Sequence, residues 1–185
     1  MKREVFTLCL AALSGTAALA AGSDPLSDTM VLFDHGPDTG TISGCWTDES
    51  GWQNFADRAI LPRTALIQSI SIFTCLAPTE GTVHLKVLAN AGRIPGAPLY
   101  EEDGVPSAWE PSGTGYKVSF TLSTPFLAQA GTPYWYGLSG NNFDLGMYSV
   151  RSPGDGKTAA FTWNTFSFMK YFGDQMFQLM GQPLP

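Results

Sequence analysis

Charge is scarce in this 185-residue chain. Asp, Glu, Lys and Arg make up only 14% of it, and Lys and Arg together number 10. The basic residues stand singly, and the formal net charge is −6. Phosphate backbones and anionic membrane surfaces demand clustered Lys and Arg, so nucleic acid is excluded as an expected partner. Beyond residue 20 no apolar stretch approaches the roughly 20 residues that span a bilayer as a helix, so no transmembrane segment is expected in the mature chain. Histidine occurs only at His35 and His84, and there is neither a Gly-x-Ser-x-Gly elbow nor a His-Glu-x-x-His zinc motif. Helical periodicity is lacking as well, while 20 Gly and 13 Pro punctuate the chain with turns. What these absences leave is an all-β protein.

The N-terminus is the most informative segment that is present. Met1-Lys2-Arg3 is basic, residues 5–13 are apolar, and Ala18-Leu19-Ala20 has the small-x-small pattern of a cleavage site. That layout predicts a secretory signal peptide over residues 1–20, cut after Ala20, and a protein that is secreted or periplasmic. Cys9 would be lost with it. Cys45 and Cys75 remain, and in an oxidising compartment they are expected to pair as a disulfide. Closing a loop of about 30 residues, such a bond would stabilise by roughly 3–4 kcal/mol in the chain-entropy model. Residues 21–29 read as a flexible leader and residues 30–183 as one β-sandwich domain. No anchor or sorting tail follows, which is the expectation for a freely released form.

Strands are expected where apolar residues recur with a period of two. In residues 82–89, Val83, Leu85, Val87 and Ala89 share one face, and Thr82, His84 and Lys86 the solvated one. In residues 116–122, Tyr116, Val118, Phe120 and Leu122 alternate with Lys117, Ser119 and Thr121. Residues 134–138 are aromatic enough for a central strand covered on both faces. Residues 30–33, 53–60, 66–75, 145–150, 159–163 and 175–179 complete the expected set. Residues 34–40, 44–51, 92–96 and 101–115 are rich in Gly, Pro and acids, and read as loops. Eight or so strands at this spacing predict two packed antiparallel sheets, a jelly-roll-like β-sandwich.

Several segments in succession resemble a family of bacterial exported β-sandwich domains, often found in proteins with PEP-CTERM or choice-of-anchor tails. They are Asn54-Phe55-Ala56-Asp57, Ile67-Gln68-Ser69-Ile70-Ser71-Ile72-Phe73, and Val87-Leu88-Ala89-Asn90 with Ile94-Pro95-Gly96. Phe126-Leu127, Ala130-Gly131-Thr132-Pro133-Tyr134-Trp135 and Asp174-Gln175-Met176-Phe177-Gln178-Leu179-Met180-Gly181 follow in order. The chain departs from that pattern at Arg58-Ala59, where a second acid and an aromatic are expected, and in having no C-terminal anchor. The resemblance implies a jelly-roll-like fold and an extracellular setting, and no defined activity.

Candidate chemistry falls into three groups. For catalysis, His35 beside Asp34 would be a general base, and Glu101-Glu102-Asp103 a glycosidase carboxylate pair. Both patterns are common in solvated turns, and no enzyme is expected. For binding, Trp46, Trp52, Trp109 and Trp163 fall in or beside expected loops and strand ends. An exposed indole offers a flat face to a sugar ring and an N–H to a hydroxyl; Asp48, Glu49, Gln53 and Asn54 surround two of the four. For metal, Asp34, Asp38 and Asp174 flank the first and last strands and would contribute to the oxygen shell of a structural Ca2+. The expectation is a non-enzymatic binding or structural module of the cell exterior, with extracellular glycan the favoured ligand. An adhesion or matrix protein contacting surface proteins is the alternative, and a glycan-acting hydrolase comes third.

Overall fold

Alternating apolar residues become strands here because two sheets must share one dry interior. The computed structural model describes residues 29–36, 42–48, 54–75, 81–92, 94–141, 145–150, 158–162, 165–167 and 174–185. Fourteen strands occur among them: Met30–Asp34 (β1), Ile42–Asp48 (β2), Asn54–Ile60 (β3), Ala65–Thr74 (β4), Thr82–Asn90 (β5), Pro95–Gly104 (β6) and Ala108–Ser112 (β7). Gly115–Ala128 (β8), Pro133–Asn141 (β9), Leu145–Val150 (β10), Thr158–Thr162 (β11), Thr165–Ser167 (β12), Asp174–Gln175 (β13) and Phe177–Pro183 (β14) follow. No helix occurs among the described residues.

The protein is an antiparallel β-sandwich. One sheet runs β1-β14-β4-β8-β7, the other β12-β11-β3-β9-β5-β6, and a small third group runs β13-β10-β2. Setting aside the third group (β2, β10 and β13) and the peripheral β7, β11 and β12 leaves eight principal strands: β1, β3, β4, β5, β6, β8, β9 and β14. They pair first with last (β1·β14), second with seventh (β3·β9), third with sixth (β4·β8) and fourth with fifth (β5·β6). Successive pairs in that nest alternate between the two sheets. This is the connectivity of a jelly roll, a long folded hairpin wrapped into a sandwich.

The interior is built from the faces that the period of two selects. Ile70 and Ile72 of β4, Val83, Leu85 and Val87 of β5, Val118 and Phe120 of β8, and Phe177 and Leu179 of β14 are all buried in one cluster. Phe73, on the opposite face of β4, packs with Met176 in a separate cluster. β9 lies between β3 and β5 and is covered on both faces: Tyr136 and Leu138 join the main core, and Trp135 packs outside it with Ala56 and Leu88.

Three expectations are corrected. Residues 44–51, read as loop, contribute to β2, whose partner β10 supplies the ladder that local composition does not advertise. Residues 101–115, read as a long surface loop, hold the end of β6 and all of β7. These are the edge strands of their sheets, where Pro98, Pro111 and the acids are tolerated because one side of the backbone needs no partner. Lys86, expected on a solvated face, is only 3% exposed, while His84 beside it is half-buried.

β8 bends in mid-course. Ile67 pairs with Phe126 and Ser69 with Thr121, so residues 122–125 oppose Gln68 alone. A bulge of this kind frees backbone N–H groups that need other acceptors. β6 provides them from the facing sheet. Ser123 N donates to both Glu102 carboxylate oxygens at 3.2 Å, and Thr124 N to the Tyr100 hydroxyl at 3.5 Å. The two sheets are thus tied together along one seam.

Candidate functional site

The β7–β8 hairpin carries the most exposed aromatic surface among the described residues. Its register sets Trp109 opposite Val118 and Pro111 opposite Tyr116, which places all four side chains on one face. Val118 is buried, whereas Trp109, on the outermost strand, is 58% exposed. The Trp109 and Tyr116 rings meet nearly edge to face, with centroids 5.9 Å apart and planes at 70°. That geometry suits the opposed charges of ring edge and ring face, so Tyr116 braces the indole while leaving its outer side open. On the other face of the hairpin Glu110 and Lys117 are directly opposed, 3.9 Å apart.

The other sequence candidates scatter. Trp52 and Trp163 lie outside the described residues, as does Asp38, and of Trp46 only the backbone, in β2, is described. Asp34 is placed at the end of β1 with both carboxylate oxygens engaged: Gly36 N donates to Oδ1 at 2.6 Å and Gln178 Nε2 to Oδ2 at 2.9 Å. It is in register with Gln178, while Asp174 is buried four residues away along the chain and paired with Val150. No group of three His, Cys, Asp or Glu side chains is arranged to hold a metal ion among the described residues. Cys75, at the end of β4, is disulfide-bonded.

The residues weighed for catalysis have structural duties. His35 is buried, its ring 4.4 Å from that of Phe33 and edge-on to Phe177. Glu102 points into the sandwich seam and accepts the Ser123 N–H. Glu101 and Asp103 lie on the outside of the same sheet with His84 and Lys86. His84 Nδ1 donates to Asp103 Oδ1 at 2.6 Å, and its Nε2 is 3.6 Å from Glu101. Burial pulls the Lys86 ammonium below the usual lysine range, opposed in part by Glu101. Both imidazole nitrogens therefore face carboxylates, in a cross-strand ladder that ties β5 to the edge strand β6.

Two buried polar groups escaped sequence reasoning. Asp57 is 1% exposed on β3; it accepts the Arg58 N–H at 2.6 Å and the Gln175 N–H from across the sandwich. It thus fastens β13 to the facing sheet. Tyr136, in register with Asp57, buries its hydroxyl with no hydrogen-bond partner among the described residues, and burial drives that phenol far above its ordinary range. The only sequence signal for either was a polar atom on the apolar side of a strand.

No family model matches the chain, and no curated protein is similar enough to count as a relative.

Proposed function

We propose that this protein is a secreted or periplasmic, non-enzymatic binding module of the cell exterior, with carbohydrate as its ligand class. The observation that carries the reading is Trp109. A large indole, more than half exposed and braced by Tyr116, sits on a hairpin locked to the sandwich by β8. Leaving such a face in water costs hydrophobic free energy that a stacked sugar ring recovers, while the tyrosine hydroxyl and the indole N–H remain for sugar hydroxyls. The resemblance to exported domains of PEP-CTERM and choice-of-anchor proteins supports the same setting. So does the disulfide at Cys75, whose partner in this reading is Cys45.

The test is a glycan array and a polysaccharide pull-down with the purified protein, repeated with Trp109→Ala. Retention of at least one glycan is expected, weakened tenfold or more by the substitution, about the worth of one stacked aromatic. Silence across neutral and acidic glycans would refute the reading, and so would binding that survives Trp109→Ala undiminished.

A further inference from the structure

At the end of the sandwich where β1 begins, an apolar groove of about 210 Å³ opens to solvent. Its floor is Leu61 and Ala65, both buried, with half-buried Leu32 beside them. Its walls are Met30 and Val31, which remain 52% and 44% exposed. The shape is held by backbone rather than by the lining side chains. Gly131 N donates to Leu61 O at 2.8 Å, Leu184 N donates to Thr64 O at 2.8 Å, and Ala65 pairs with Pro183 across β4 and β14. A groove so braced exists before any ligand arrives, which keeps the ordering cost of binding low.

One charge stands on its rim. Arg63 lines the groove and is exposed, and its guanidinium makes no ion pair or hydrogen bond with any described residue. In a chain of net charge −6, an uncompensated guanidinium beside an apolar slot is a local reversal of sign. Guanidinium geometry matches a carboxylate through two parallel hydrogen bonds. We propose that this groove binds a medium-chain fatty acid, with the acyl tail between Met30, Val31 and Ala65 and the carboxylate on Arg63. A groove of about 210 Å³, open on one side, has room for a short acyl tail on the order of eight carbons. The site is separate from the Trp109 hairpin and stands whether or not that hairpin binds sugar.

Calorimetric titration with sodium octanoate tests the assignment, with 1-octanol as a probe of similar tail and uncharged head. Saturable one-to-one binding of octanoate is expected, with a dissociation constant on the order of a millimolar or tighter. Arg63→Gln should weaken it tenfold or more, by loss of a charge-assisted pair. 1-Octanol should bind wild type no better than octanoate binds Arg63→Gln. Val31→Trp, at an exposed wall position, should block the slot while leaving the thermal midpoint near that of wild type, and Trp109→Ala should leave octanoate binding unchanged. Absence of saturable binding overturns the proposal, as does octanoate affinity indifferent to Arg63→Gln or to a folded Val31→Trp variant.

Discussion

A methyl group added at Gly181 would have to occupy space that backbone already fills. Gly181 lies on β14 where the pairing with β4 shifts register: Met180 faces Ser69, and Gly181 faces Ile67. An alanine Cβ there would fall inside contact distance of the Leu66 carbonyl oxygen, 2.9 Å from its carbon and 3.0 Å from Ile67 Cα. Non-bonded carbon contacts prefer roughly 3.5–4.0 Å and the carbonyl oxygen is the nearest atom of all, so the two strands must part by more than about 1 Å, and no flexible side chain can absorb the shift. Overpacking of this kind costs about 1–3 kcal/mol, and one or two weakened ladder hydrogen bonds add about 0.5–1.5 kcal/mol each. Gly181→Ala should therefore destabilise by about 3 kcal/mol, equivalent to roughly 6–12 °C in a protein of this size. Urea unfolding followed by tryptophan fluorescence is the assay, since Trp135 is fully buried and will report its own exposure. Gly137→Ala is the control. Its Cβ would meet Phe55 O at 3.3 Å and the Ala56 and Leu88 side chains at 3.4 and 3.8 Å, a fit that should cost less than about 1 kcal/mol. A Gly181→Ala protein within about 0.5 kcal/mol of wild type, or no worse than the control, would show the reasoning to be wrong.

Tyr136→Phe removes a buried hydroxyl that no described residue satisfies, and should stabilise by about 1 kcal/mol at pH 7. Because burial holds the Tyr136 proton in the folded state while unfolded tyrosine releases it near pH 10, wild-type stability should fall as pH rises past about 10. The phenylalanine variant should lose part of that fall; a variant more than about 1 kcal/mol less stable than wild type would mean the hydroxyl has a partner. Reduction of the disulfide at Cys75 should lower stability by about 3–4 kcal/mol if it closes the loop from Cys45, and peptide mapping under non-reducing conditions should recover that pair. A reduced protein of unchanged midpoint would refute the loop.

The central strands were legible because burial on one face writes itself into the sequence. The alternation of residues 82–89 and 116–122 became β5 and β8, and the aromatic run from Tyr134 became the doubly covered β9. Edge strands were not legible. β6 and β7 contain Pro98, Pro111, Glu101, Glu102 and Asp103, residues that signal loop in a central strand yet suit an edge with one open side. β8 was underestimated for a related reason. Its alternation stops at Leu122, where the bulge begins, although the strand resumes and runs to Ala128. Trp109 was named as a binding candidate alongside three other tryptophans, and nothing in its neighbours set it apart. Its exposure follows from β7 being outermost, a property of the sheet order. Glu102 illustrates the same gap, since its role depends on a bulge that forms 20 residues further along.

Nested pairing also dictates when the molecule can be finished. β14, the last of the described strands, lies inside its sheet, flanked by β1 and β4. Until β14 arrives, β4 keeps one edge of its backbone unpaired, and β1, whose ladder is with β14, has no neighbour in the sheet. That sheet cannot be completed without residues 177–183, and the loop from β1 to β14 must close over nearly the whole domain before its contacts reward it. In a crowded compartment that interval is a period of exposure. An open β4 edge is a template for any strand of matching pattern, and the most available competitor for it is the same strand of a neighbouring copy.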